Sequence, residues 1–171
     1  MKLLRTIDLN ALPLEKLETL TLRQAARAVV LDEEKNVALL HVSKGGYYKL
    51  PGGGVEADED VATALKRECL EEIGCHVETD QELGMTIEYR GKYNLKQESF
   101  CFLAHLVGPK GIPEFTEEEI ADGFSSLWVP LDQAIKLVEE ANTEDYLGKF
   151  IIPRELVFLR EAEKLFQNIS L

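Results

Sequence analysis

LPGGGVEADEDVATALKRECLEEIGC, Leu50 to Cys75, is the stretch that decides how this sequence is read. Pro51 followed by Gly52, Gly53 and Gly54 stops regular structure and lets the backbone pass close to a neighbour. Beyond the glycines the pattern is helical, with Val61, Leu65, Cys69 and Ile73 as its apolar stripe. Asp58 is the expected N-cap, Glu59 and Asp60 suit the positive end of the helix dipole, and Gly74 is the expected stop.

The far end of that helix carries Glu68, Glu71 and Glu72. The spacing i, i+3, i+4 puts their side chains on one arc of roughly 100°. Two of them lie in the last turn, where the dipole disfavours anions, so like charges crowd together against the local rules. Glu72 also borders Val61 and Leu65, and burial there raises a carboxylate's pKa unless a cation sits beside it. A bound metal is the simplest compensation, and a set of oxygen donors suits magnesium or manganese better than zinc. The plainer reading is a solvated acidic face with an Arg67–Glu71 pair.

The spacing resembles that of a known family. Gly53, five residues, Glu59, seven residues, then Arg67-Glu68-Cys69-Leu70-Glu71-Glu72-Ile73-Gly74-Cys75 is similar to the Nudix box, G-x5-E-x7-R-E-U-x-E-E-x-G-U, where U is a bulky apolar residue. Every fixed polar or glycine position is matched, and the departures are Cys69 and Cys75 at U positions, where cysteine acts as a small buried hydrophobe. The resemblance covers roughly residues 23 to 140. It implies an α/β fold, an α/β/α sandwich with a mixed β-sheet. It also implies hydrolysis of a nucleoside diphosphate linked to another moiety, with magnesium or manganese as cofactor.

Carried over by position, the resemblance makes Glu68 and Glu72 the principal metal ligands. Glu71 joins them directly or through water, and the Gly52 carbonyl is a backbone ligand. Arg67 then orients the glutamates, and Glu59 supports the loop and helix start, with a dipole partner as its plainer role. The family often adds an acidic residue from a loop before the last strand. Glu119 is the choice here, with Glu117, Glu118 and Asp122 as rivals and a solvated acidic turn as the alternative. The chemistry explains the residue types: charge spreads over phosphate oxygens in the transition state, and cations stabilise it. Magnesium keeps several waters and takes few carboxylates, so such a site is expected to be only partly assembled before substrate arrives.

Outward from this motif, 171 residues with 45% hydrophobic content fit one globular domain. A net charge of −12 argues against a nucleic-acid partner, because no basic surface is available to displace counterions. Cys69, Cys75 and Cys101 form no C-x-x-C pair and read as reduced thiols of a cytoplasmic protein. MKLLRTIDLN carries positive charge with no apolar run behind it, so neither a signal peptide nor a membrane span is expected.

Residues 1–22 form an arm of unclear role, and 23–171 the hydrolase domain. In the arm Leu14, Leu17, Leu20 and Leu22 fit one face of a short helix or an added strand, for docking or a homodimer. Strands are expected at Arg23–Leu31, Val37–Val42 and Tyr47–Leu50, at Leu83–Arg90 and Glu98–Val107 as an antiparallel hairpin, and at Ser126–Val129. A helix led by Asp132 as N-cap reaches Glu140, and a last helix spans Pro153–Phe166, with Leu156, Leu159, Ala162, Leu165 and Phe166 facing inward. FTEEEIADG is expected to be a loop.

Arg27 on its strand is the candidate to reach a phosphate. Tyr89, Phe124 and Tyr93 are candidates to stack on a base, each with core packing as the alternative. Tyr47, Tyr48 and Lys49 are further candidates beside the glycine loop. The flanking signatures of NADH, coenzyme A and ADP-ribose pyrophosphatases in the resembled family are missing, so a nucleoside triphosphate or nucleotide sugar is the expected small-molecule partner. Tyr93 leaves a dinucleoside polyphosphate open. A nucleotide-sensing domain without catalysis and a metal-stabilised structural protein are the alternatives.

Overall fold

The computed structural model describes residues 1–169. Its frame is a seven-stranded mixed sheet: β1 (Leu3–Ile7), β2 (Thr21–Leu31), β3 (Asn36–Val42), β4 (Tyr47–Lys49), β5 (His76–Arg90), β6 (Leu95–Val107) and β7 (Phe124–Pro130). Strands run β1-β5-β6-β2-β3-β4, with β7 paired to β3; β1 is parallel to β5 and β2 to β6, and the other pairs are antiparallel.

Helices cover both faces. α2 (Val61–Ile73) packs Ala64, Leu65, Cys69 and Ile73 on the alternate β2 positions Ala26, Ala28 and Val30. α4 (Leu131–Glu140) and α5 (Gly148–Ile169) cover the other face, where Val29, Leu39 and Cys101 meet Ile135, Val138, Phe158 and Leu159. β2 is buried from both sides and therefore reads as a continuous apolar run from Ala25 to Val30, broken only by Arg27. The architecture is the expected α/β/α sandwich.

One detail of the sheet positions the site. β2 and β3 are in register only at Leu31 and Val37. Beyond that pair they part, and β4 with the glycine loop fills the wedge. Ala26 N–H donates to the Gly53 carbonyl, Ala28 N–H to Pro51 and Val55 N–H to Gln24. The loop is thereby stitched along β2 while the following residues lead into α2.

Several expected boundaries are corrected. The N-cap of α2 is Asp60, whose carboxylate accepts from Thr63 N–H at 2.7 Å; Asp58 lies outside the helix. Gly74 ends α2 as expected, in the left-handed conformation at φ 66°, and a Cβ there would lie 2.6 Å from the Gly111 backbone. Asp132 does not cap α4: Pro130 holds that position without a side-chain bond, and Asp132 sits in the first turn. α5 starts at Gly148, with Asp145 accepting the Gly148 N–H at 2.7 Å, and keeps Pro153 inside it. The missing proline donor costs one helical bond, and the buried Phe150 and Ile151 compensate. FTEEEIADG is not a loop but contains α3 (Glu117–Ala121), closed by a Thr116–Glu119 capping box.

The arm is strand and helix at once. β1 adds to the edge of β5, and α1 (Leu14–Leu17) is a single turn. Its leucines form no buried face: Leu14 is 78% exposed and Leu22 54%. β5 begins at His76 rather than near Leu83, because irregularities at Thr79–Gln81 and Glu82–Gly84 interrupt the alternation that marks a strand. No described helix is long and apolar enough to cross a membrane.

Candidate functional site

The loop and the end of α2 are built against each other. Gly52 has φ 130°, and a Cβ on it would lie 2.1 Å from the Ala26 carbonyl oxygen. A Cβ on Gly53 would lie 2.1 Å from Glu68 Oε1. Gly52 is closed to a side chain by its φ and by the β2 backbone, and a side chain on Gly53 would displace the Glu68 carboxylate, so the glycines allow the loop to reach both β2 and the glutamates.

Glu72 is 1% exposed and the most enclosed of the three acids. Its Oε2 accepts the Gly52 N–H at 2.7 Å, and its Oε1 faces Lys49 Nζ at 2.5 Å. Burial raises its pKa above the usual carboxylate range, and Lys49 and the Gly52 N–H offset part of that rise. The sequence expectation that Glu72 borders the core and needs a cation is met in this arrangement by Lys49.

Arg67 organises the other acids. Its guanidinium donates to Glu59 through Nε at 3.2 Å and Nη2 at 2.7 Å, to Glu68 at 2.9 Å, to Glu71 at 3.1 Å and to the Gly54 carbonyl at 3.0 Å. The planar fork ties the helix face to the loop. Glu59 also accepts the Glu56 N–H at 3.0 Å, and the Arg67 bonds hold its carboxyl below the usual range. Glu59 lies before α2 rather than in its first turn.

The donor set fits a hard cation: Glu68, Glu71 and Glu72 offer only oxygen, and the Gly52 carbonyl between the loop's two β2 bonds accepts no hydrogen bond among the described residues. Lys49 and Arg67 supply positive charge at the same carboxylates. Among the described residues no three Asp, Glu, His or Cys side chains are grouped as ligands of one ion, so full ligation requires these side chains to leave their present ion pairs.

On the α5 face of the sheet lies a cavity of about 450 Å³. Five cationic side chains line it: Arg23 and Arg27 of β2, Lys49 of β4, Arg90 of β5 and Arg154 of α5. Tyr47, Tyr93 and Phe124 supply its aromatic wall, and no carboxylate lines it. This concentration of cationic side chains stands in a chain of net charge −12, and its chemistry suits an anion rather than a cation. Lys49 belongs to both places: it lines the cavity, pairs with Glu72, and lies 5.1 Å from the centre of the Phe124 ring.

Beneath the cavity is a buried ionic network. Glu88 receives Arg90 at 2.5 Å and Arg154 at 3.0 Å, and Glu155 pairs with Arg154. All four are enclosed, none more than 7% exposed. Burial pushes the Glu88 carboxyl up, but Arg154 and Arg90 outweigh it and hold it below the usual range.

The expected site residues thus fall into groups. Gly52, Arg67, Glu68, Glu71 and Glu72 come together, and Arg27 and Phe124 meet across the cavity. Tyr93 and Tyr47 line it as well, whereas Tyr48 stacks on His41. Tyr89 does not line it; alternation along β5 turns Arg90 inward and Tyr89 to the opposite face. Glu119 is engaged in its own helix cap, where Oε2 accepts the Thr116 N–H at 2.8 Å. Sequence reading missed Arg23, Arg90 and Arg154. Their signal was present: Arg23 and Arg27 share a strand face, and Arg154 sits between Phe150 and Phe158 on an otherwise apolar helical row.

Known proteins share this sequence pattern and this fold. The family described as NUDIX domain matches residues 21–149. The human protein named 8-oxo-dGDP phosphatase NUDT18 is 36% identical over 107 residues, which are 60% of this chain and 31% of that protein. Nudix hydrolase 4 of Arabidopsis thaliana is 29% identical over 115 residues, 67% of this chain and 53% of that protein. The chain therefore spans about half the length, or less, of these curated relatives. The crystal structure of a MutT protein from Bacillus halodurans is similar with a TM-score of 0.52 and 26% identity, covering 67% of this chain and 72% of that one.

Proposed function

The chain belongs to the Nudix family, and on that premise we propose that it is an active pyrophosphohydrolase. Its substrate is a nucleoside diphosphate linked to another moiety, a nucleoside triphosphate or a nucleotide sugar in the first place. The name of the human relative, 8-oxo-dGDP phosphatase, supports a nucleoside diphosphate derivative as the substrate class. The observation that carries the proposal is the continuity made by Lys49, which joins the glutamate cluster to the cationic cavity. A diphosphate spanning that junction has carboxylates on one side and cations on the other.

In this reading Glu68, Glu71, Glu72 and the Gly52 carbonyl would hold a divalent cation, magnesium or manganese, which supplies positive charge to the phosphate oxygens and acidifies the attacking water. Arg67 keeps Glu68 and Glu71 aimed at the loop. Lys49, released from Glu72, turns its ammonium to a phosphate oxygen. Arg27 is the second cation in reach, and Phe124 offers a face for stacking. Water attacks phosphorus, the bridging oxygen leaves with the second phosphate, and a phosphomonoester is released. Glu119 assists only by leaving its cap, so its support is weaker than that of the box glutamates. Residues 23–171 act as the hydrolase unit, and residues 1–22 extend the sheet. The complete glutamate set favours catalysis over a sensing role.

The test is product analysis on nucleoside di- and triphosphates, nucleotide sugars, ADP-ribose and dinucleoside polyphosphates, each with magnesium and with chelator. Release of a nucleoside monophosphate that chelator stops is the expected outcome. Binding of one compound without cleavage of any would instead make the domain a sensor.

A further inference from the structure

Two cationic side chains hold the box glutamates, and they hold them differently. Arg67 is tied to Glu59, Glu68, Glu71 and the Gly54 carbonyl by five hydrogen bonds. Lys49 holds Glu72 with a single ammonium on a flexible four-carbon stem, and this is its one ion pair among the described residues. The same ammonium lies 5.1 Å from the centre of the Phe124 ring, which lines the cavity. Arg67 is therefore anchored, whereas Lys49 stands between a carboxylate and an open space.

Neither partner of the Lys49–Glu72 pair is easily left alone. The Glu72 side chain is 2% exposed and that of Lys49 12%. A divalent cation on Glu72 would push Lys49 into a cavity lined by Arg23, Arg27, Arg90 and Arg154 and by no carboxylate, where its charge is opposed. An anion that draws Lys49 away would leave Glu72 with only the Gly52 N–H, a buried carboxylate without its cation. When cation and anion arrive together, each stranded charge has a new partner. The Gly52 bond is made to Oε2 and the Lys49 bond to Oε1, so the first does not depend on the second.

We infer that the Lys49–Glu72 ion pair is an autoinhibitory contact that couples the two ligands, keeping a divalent cation from binding tightly until a phosphate group draws Lys49 away. This rests on the pyrophosphohydrolase reading and adds its regulation: the substrate itself opens Glu72 to the cation. Such coupling is reciprocal, so the cation strengthens substrate binding by the same factor. Cation and phosphate also attract each other directly, and the share due to Lys49 is therefore read from the cation alone.

The test is calorimetric titration of manganese at pH 8, without nucleotide, into wild type and Lys49→Gln. Glutamine keeps a neutral donor for Glu72 and removes the competing charge. A lysine that only touched phosphate would leave manganese affinity unchanged on substitution, and a merely structural one would weaken it. The expected result is the opposite: Lys49→Gln binds manganese 10-fold or more tighter than wild type, Lys49→Arg binds it as weakly as wild type, and adding Glu72→Gln to Lys49→Gln removes the gain. Unchanged or weaker binding by Lys49→Gln overturns the inference. If Lys49→Gln does not fold, the nitrogen-15 resonance of the Lys49 ammonium in wild type decides, assigned by its loss in Lys49→Arg. It should stay in place with magnesium alone and move when α,β-methylene ADP is added with magnesium. A resonance that moves with magnesium alone, or that stays with both, overturns the coupling. The manganese titration involves neither nucleotide nor turnover, so it is independent of the product analysis: cleavage with unchanged manganese affinity removes the coupling and keeps the hydrolase, and tighter manganese binding without cleavage does the reverse.

Discussion

Glu72→Gln is expected to lower metal-dependent turnover by ~10³-fold or more while leaving the protein folded. The variant keeps the shape of the side chain and still accepts the Gly52 N–H. It removes a charge that would hold the cation, and cation stabilisation of a phosphoryl transition state amounts to several kcal/mol, each ~1.4 kcal/mol being tenfold in rate. The cost in stability is small for a specific reason. Burial already disfavours the charged form of Glu72, so a neutral amide in its place spares the fold that penalty. Lys49 loses its anion, but its side chain is 12% exposed and lies beside the cavity opening and Phe124. A loss of about 1–2 kcal/mol, a few degrees in melting temperature for a domain of this size, is the expected outcome. Circular dichroism melts beside the rate assay separate the two roles: an unfolded variant would make Glu72 a structural residue.

The largest effect on stability is expected at Arg154, far in sequence from the glutamates. Arg154→Met strips Glu88 and Glu155 of a buried partner. Breaking a buried pair from one side typically costs ~3–5 kcal/mol, because the remaining charge stays desolvated. At roughly 2–4 °C per kcal/mol for a domain of this length, the melting temperature should fall by ~6–20 °C. The pH dependence identifies the cause. In wild type the folded Glu88 carboxyl lies below its usual range, so its contribution is present above the unfolded pKa and is lost as pH falls through the folded one. Without Arg154 the burial of Glu88 is opposed by Arg90 alone, so its pKa moves up and protonation on acidification relieves part of the variant's penalty. The gap between wild type and variant should therefore narrow from pH 7 to pH 5. A gap of constant size would assign the loss to packing alone.

These two residues also mark how far the sequence could be read. The place of Glu72 was legible because it is set locally: the box fixes its spacing from Glu68 and Gly53 along one helix and one loop. The sandwich was legible for a similar reason, since alternation and helical periodicity report which face of an element is buried. Arg154 stands out as a charge on an apolar helical row, but its main partner was not legible: Glu88 lies 66 residues away on β5, and only the packing of α5 on the sheet brings them together. Caps failed where two acids competed: Asp58 and Asp60 both suit a helix start, and only Asp60 stands at the right offset from Thr63 N–H. Pro153 was misplaced as a first-turn residue because a proline is a common start signal, whereas here Asp145 performs that task.

The central claim is that water is delivered to a phosphorus atom at the junction of Glu72 and Lys49. Phosphorus NMR of the best nucleotide substrate, incubated with enzyme and magnesium in water enriched in oxygen-18, follows that step directly. The prediction is that one of the two phosphate products carries the upfield isotope shift of one incorporated oxygen-18 and the other, which keeps the bridging oxygen, carries none, with neither product formed in chelator or by Glu72→Gln. Products that both lack oxygen-18, or the same labelled product from Glu72→Gln, would contradict the account.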